Sequence, residues 1–197
     1  MTGSSRRSCP VLTTARLDLG PHEAADYPDM LSTWQDPVVV KYFGGVPSTP
    51  EECWARLLRY AGLWRLLGFG YWRIRERATG RFVGEIGLAE FRRDITPSVV
   101  GWPEAGWVLA PWAHGQGFAR EAADAMLAWA DGVLSARRTV CLIDPGNAPS
   151  LALAARLGFE PFAETRYKGR DSILLERVAE AVRDPRTSLP FMGRDDE

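Results

Sequence analysis

The chain has 197 residues, of which 46% are hydrophobic and 25% charged, and its formal net charge is −1. That length suits one domain with a proper core, and the sequence carries no basic stripe to suggest nucleic acid and no acidic block to suggest a polycation partner. No apolar run is long enough to cross a membrane, and the polar start Met1-Thr2-Gly3-Ser4-Ser5-Arg6-Arg7 has no apolar segment behind it, so a cytoplasmic protein without a secretory signal is expected. The three cysteines, Cys9, Cys53 and Cys141, have no metal-ligand spacing, and a reduced setting fits them.

In chain order, residues 1–11 read as a flexible N-terminal arm, 12–178 as one folded domain and 179–197 as a C-terminal tail. Residues 15–19 alternate and predict a first strand. His22 to Trp34 is helical in character, with His22 at its surface end. Thr49-Pro50-Glu51-Glu52 is a capping box with Pro at the first helical position, so a helix is predicted from there to Leu67. Its apolar positions, Trp54, Leu57, Leu58, Ala61, Trp64 and Leu67, recur at helical spacing. Tyr71 to Arg77 and Phe82 to Phe91, joined by Ala78-Thr79-Gly80, read as a β-hairpin. A loop over 92–103 leads to a strand over 104–110. Phe118 to Val133 predicts a helix with Phe118, Ala122, Met126 and Trp129 on one stripe. Thr139 to Ile143 reads as a short strand buried on both faces. Asn147 caps the next helix, Gly158 ends it, and residues 160–167 and 171–178 close the domain as two strands.

Between the strand at 104–110 and the helix at 118 lies the most informative stretch, His114-Gly115-Gln116-Gly117-Phe118-Ala119-Arg120. Glycines there let a ligand approach the backbone, and the helix start presents N–H groups without partners, which together suit a phosphate or pyrophosphate. It is not a nucleotide P-loop, because no Lys follows the glycines; the chain's lysines are Lys41 and Lys168. Nor is it a dinucleotide fingerprint, because Arg120 stands where the third glycine would fall. Downstream, Asp144-Pro145-Gly146-Asn147-Ala148-Pro149-Ser150 precedes a helix ending in Leu157-Gly158-Phe159.

These two motifs, in this order and separation, resemble the GNAT superfamily of acyl-CoA-dependent N-acetyltransferases. The family's pyrophosphate loop, Q/R-x-x-G-x-G/A, stands here as His114 to Ala119, and its N-x-x-S…L-G-F element as Asn147, Ser150, Leu157, Gly158 and Phe159. Glu104 and Gly106 before Pro111-Trp112, together with the opening Thr14-Ala15-Arg16-Leu17-Asp18-Leu19, resemble the ribosomal-protein N-terminal acetyltransferase branch. The resemblance covers about residues 12–178. Two positions depart from it: His114 replaces the usual Gln or Arg, and Ala154 stands where many members carry a catalytic Tyr.

The resemblance implies a single α/β domain of GNAT type. Its central sheet would be mixed, mostly antiparallel and splayed near its middle, with helices on both faces. It implies acetyl-CoA as co-substrate, with the pantetheine arm along Trp107-Val108-Leu109, its pyrophosphate on His114, Gly115, Gln116, Gly117, Phe118 and Ala119, and further contacts from Arg120, Asn147 and Ser150. No metal is implied. Acetyl transfer to a primary amine needs a route for the amine proton, an oxyanion donor and help for the departing thiolate. Glu104 and then Glu85 are the candidate bases, and the step can also proceed without one if the amine arrives neutral. Ser150 is the candidate proton donor, since Ala154 has no hydroxyl. Trp34, Trp64, Trp72 and Trp102 are candidate walls for an acceptor pocket, against core roles for each. The acceptor is a peptide N-terminus or a small-molecule amine; no nucleic-acid or membrane partner is expected, and a homodimer is allowed. The rival function is a non-catalytic acyl-CoA-binding module, which would keep the loop and need neither Glu104 nor Ser150.

Overall fold

A computed structural model of the chain describes residues 8–134 and 136–179. Residues 1–7 of the expected arm and 180–197 of the expected tail lie outside the described residues. The strands are β1 (Leu12–Thr13), β2 (Leu17–Gly20), β3 (Tyr71–Glu76), β4 (Phe82–Ala89), β5 (Glu104–Leu109), β6 (Arg138–Ile143), β7 (Glu160–Tyr167) and β8 (Arg170–Val178). The helices are α1 (Tyr27–Gln35), α2 (Pro37–Val40), α3 (Pro50–Leu67), α4 (Phe118–Trp129) and α5 (Ala148–Arg156). The strands form one sheet in the order β1-β2-β3-β4-β5-β6-β8-β7. Every neighbouring pair is antiparallel except β5 and β6.

That exception sets up the site. β5 and β6 run parallel and meet only at Glu104 and Val140. On their outer edges both are fully paired, β5 to β4 over Glu104–Leu109 and β6 to β8 over Arg138–Ile143. Beyond Glu104 the two strands part, leaving two facing edges whose backbone groups can pair with an extended ligand.

Side chains alternate across the sheet and so build a core on each face. On one face Ile86, Leu88, Ala105 and Leu109 pack with Phe118, Ala122 and Met126 of α4 and Ala154 of α5. On the other, Tyr71, Ala89 and Val108 pack with Met30 and Trp34 of α1 and Cys53, Leu57 and Tyr60 of α3. All of β4 is buried, as a strand covered on both faces must be.

The capping box at the start of α3 forms in both directions. Glu52 N donates to Thr49 Oγ1 at 3.2 Å, and Thr49 N donates to Glu52 Oε2 at 2.8 Å. The buried stripe of α3, however, is Cys53, Leu57, Tyr60 and Trp64, while Trp54 and Leu58 are exposed. Tyr60 turns the helix that way, because its hydroxyl has a buried acceptor in Glu85 at 2.8 Å. The helix expected from His22 begins later, with a 3-10 turn at Ala24–Asp26 before α1. The short helix α2 and the two-residue strand β1 carry too little periodicity to have been predicted. The helix from Phe118 keeps α form to Trp129 and continues as a π-helical turn over Ala130–Leu134.

Candidate active site

The parted strands enclose a cavity of about 450 Å³. Ala105, Gly106 and Trp107 of β5 form one wall, and Cys141, Leu142 and Ile143 of β6 the other. Asn147 and Ser150 close one end from α5; Tyr42, Phe43, Arg93 and Tyr167 stand around the rest.

Ser150 accepts a hydrogen bond from Trp107 Nε1 at 3.2 Å, so its own hydroxyl proton is free to point into the cavity. Asn147 caps α5, its Oδ1 accepting from Ser150 N at 3.2 Å, which leaves its side-chain NH₂ for a ligand. Ala154 is fully buried among the core residues that α4 and α5 share. Ser150 is the hydroxyl that α5 presents to the cavity.

The glycine loop leaves β5 at the end where the strands have parted. Gly115 and Gly117 have φ of 73° and 79°, the left-handed region that a side chain disfavours. Gly117 is the N-cap of α4 and no side chain caps the first turn, so its N–H groups remain for an anion. His114 turns inward, its Nε2 3.0 Å from the carbonyl oxygen of Leu109. Gln116 donates to Trp112 O at 2.6 Å, and Arg120 pairs with Asp124 at 2.7 Å on the exposed side of α4.

A clamp from the opening Thr14–Arg16 segment holds this loop. Arg16 donates to Gln116 O at 2.9 Å, pairs with Glu121 at 2.7 Å and lies 4.6 Å over the Phe118 ring. Thr14 donates to the same carboxylate at 2.6 Å. Burial disfavours the charged form of Glu121, but the hydrogen bonds from Thr14 and Arg16 outweigh it and lower its pKa. The Thr-x-Arg opening thus fixes the loop from about 100 residues away in sequence.

The two candidate bases occupy different settings. Glu104 is 7% exposed, and Arg93 donates to both its oxygens, at 2.6 and 2.7 Å. Arg93 lines the cavity and lies 4.4 Å over the Tyr167 ring. Burial works against its charge, but Glu104 overcomes that and raises its pKa. A carboxylate has about four lone-pair sites, so the bidentate pair leaves Glu104 able to accept further protons in hydrogen bonds.

Glu85 is 1% exposed; neither carboxylate lines the cavity itself, and only Glu104 has a partner, Arg93, that does. Its Oε1 accepts from Trp34 Nε1 at 2.9 Å and Tyr60 OH at 2.8 Å, and its Oε2 lies 3.6 Å from His22 Nε2. His22 is therefore not the surface residue expected; its side chain is 1% exposed. The chain enters α1 from β2 across the sheet face, and this carries the imidazole inward against the Tyr60 ring, 5.0 Å between centroids.

The four tryptophans offered as acceptor walls do not line this cavity. Trp34, Trp64 and Trp72 are buried, and Trp102 faces a separate groove with Glu90 and Arg137. Tyr42, Phe43 and Tyr167 supply the aromatic surface instead. They lie on loops and a strand end far apart in sequence, without a motif to announce them. Among the described residues, no group of three or more His, Cys, Asp or Glu could hold a metal ion.

Two parallel strands that part beside a glycine-capped helix start define an α/β transferase architecture. Within it the chain belongs to the GNAT acetyltransferase family, whose domain matches residues 16–160. A protein assigned to the GnaT family of acetyltransferases from Bordetella pertussis is similar at 33% identity and a TM-score of 0.77, over 86% of this chain and 99% of that one. The ribosomal-protein-S5-alanine acetyltransferase of Vibrio fischeri has the same fold at 16% identity and a TM-score of 0.66, over 87% of this chain and 97% of that one. The curated relative YkkB of Bacillus subtilis (strain 168) is 29% identical over 110 residues, which are 56% of this chain and 62% of YkkB. The chain thus spans less than two thirds of that relative's length.

Proposed function

We propose that this chain transfers the acetyl group of acetyl-CoA to a primary amine by direct attack. The observation that carries the reading is the split between β5 and β6, open at the same end as the uncapped start of α4. Free backbone edges suit the amides of pantetheine, and the loop at 114–119 suits its pyrophosphate. Asn147 offers its NH₂ to a pantetheine amide. Arg120 meets a cofactor phosphate only by leaving Asp124, so its contribution is small.

In the reaction the amine nitrogen forms the new bond to the carbonyl carbon. A β5 backbone N–H takes the developing oxyanion. Glu104 receives the amine proton, directly or through one water. As the carbon–sulfur bond breaks, the Ser150 hydroxyl donates a hydrogen bond to the thiolate. A thiol with a pKa near 8.5 leaves readily, so that help is limited. The acceptor is a peptide N-terminus or a small-molecule amine; Tyr42, Phe43 and Tyr167 give it an aromatic approach.

Gly117→Val tests the reading. Its Cβ would stand in the left-handed region and in the path of the phosphates. Calorimetry should show acetyl-CoA affinity falling at least tenfold; unchanged affinity overturns the placement of the cofactor. A mass-spectrometric screen of amines with acetyl-CoA separates a transferase from a silent binding module.

A further inference from the structure

Tyr71 lies across the sheet in a way that needs two glycines. It pairs with Gly87 on β4, and Gly87 pairs with Gly106 on β5, so the three positions form one row perpendicular to the strands. A Cβ on Gly87 would overlap the Tyr71 Cα and ring, and a Cβ on Gly106 would overlap the Tyr71 hydroxyl. The side chain is thus laid flat over β4 and sets its hydroxyl on the backbone of β5. Tyr60 fixes the ring from above, stacked at 4.3 Å and 7°.

The place where the hydroxyl arrives is the cavity wall. Gly106 lines the cavity and stands next to Trp107, which holds Ser150. Glu104 and Gly106 project to the same face of β5, as alternate residues do. No described residue bonds the Tyr71 hydroxyl, and it is not among the partnerless oxygens sealed from solvent. Tyr71 itself does not line the cavity, but its hydroxyl is unused by the described residues, is not sealed from solvent and lies against Gly106 of the cavity wall, and a phenol so oriented is arranged for a ligand that reaches past that glycine. Burial, then the charges of Glu104 and Glu85, push its pKa well above the ordinary tyrosine value, so it remains a neutral hydroxyl.

We propose that Tyr71 contacts the acceptor: its hydroxyl oxygen accepts a hydrogen bond from the attacking amine N–H and so aims the nitrogen lone pair at the thioester beside Gly106. The proposal rests on the acetyl-transfer reading above. The hydroxyl takes no proton from the amine; that proton still goes to Glu104, and Tyr71 supplies orientation. Gly87 and Gly106 are then the residues that admit the contact, since any side chain at either would displace the phenol.

The test is Tyr71→Phe in the full chain, which keeps the stack on Tyr60 and removes only the oxygen. The probes are acetyl-CoA with a peptide bearing a free N-terminal amine and with spermidine, each assayed by thiol release. We expect kcat/KM for whichever amine the wild type turns over to fall about tenfold to a hundredfold, the scale of one orienting contact. Acetyl-CoA affinity by calorimetry and the unfolding midpoint should stay at wild-type values. An unchanged kcat/KM overturns the proposal, as does a loss matched by weaker acetyl-CoA binding, which would mark Tyr71 as structural. A wild type that binds acetyl-CoA but acetylates neither probe nor any amine in the wider screen overturns the transferase reading itself, and this inference with it.

Discussion

Glu85 and Glu104 stand on the same face of the sheet, on adjacent strands, yet their surroundings differ in kind. Glu85 is met by neutral donors, the Trp34 indole and the Tyr60 hydroxyl, with the His22 ring on its other side. Glu104 is met by a cation, Arg93, which itself borders the cavity. A buried carboxylate surrounded by aromatic donors is a cross-link: it ties α1, α3 and β4 together and offers nothing to a ligand. A carboxylate whose counter-ion lines the cavity can trade that partner for substrate, because the arginine can move. Burial alone does not distinguish the two, at 1% and 7% exposed; the chemistry of the partners does.

The strongest way to break this comparison is to neutralise each carboxylate in turn. Glu104→Gln should lower turnover by ~10²–10⁴, the usual weight of a general base, with acetyl-CoA affinity little changed. Steady-state kinetics beside calorimetry would check both halves. If Glu85→Gln instead produces the larger loss in turnover while the protein stays folded, the two roles are reversed.

Glu85→Ala should act on stability. It strands two buried donors, Trp34 Nε1 and Tyr60 OH, each worth about 1–3 kcal/mol when unsatisfied, against some relief from removing a buried charge. We expect a net loss of about 2–4 kcal/mol in urea unfolding at neutral pH, and acetyl-CoA affinity close to wild type where the variant is folded. Stability equal to wild type would mean that the cluster around Glu85 is not a cross-link.

Much of the architecture could be read in advance because its signals are local. The capping box at Thr49 and Glu52, the glycine loop before Phe118 and the Asn147 cap each lie within a few residues of what they control. The family resemblance rested on two such motifs, and the family match over 16–160 bears it out. The partners of the two glutamates could not be read in the same way. Arg93 reaches Glu104 from an irregular loop, and Tyr60 and Trp34 reach Glu85 from helices 25 and 51 residues away. His22 was misplaced because a polar residue at a helix start reads as surface unless the acid across the sheet is already known. Tyr71 hid for another reason: its role depends on two glycines on two other strands, and only the register aligns them.

The smallest expected effect concerns the phenols that link the two carboxylates. Tyr60 bonds Glu85, Tyr71 stacks on Tyr60, and the Tyr71 hydroxyl ends beside Gly106, two residues from Glu104. Burial, followed by the neighbouring carboxylate charges, raises the pKa of both phenols above the ordinary value near 10. Above about pH 10 the unfolded chain therefore releases protons that the folded chain keeps. Their contribution to stability is complete below about pH 10 and is lost as pH rises toward the folded-state values. Each phenol adds a slope of about −1.4 kcal/mol per pH unit in that window. Urea unfolding of wild type and Tyr71→Phe from about pH 9 to pH 11 would isolate one of them. The variant's stability should fall less steeply, by about that single slope. Identical slopes would mean that the Tyr71 hydroxyl titrates as freely folded as unfolded, and that neither burial nor the two carboxylates hold it neutral.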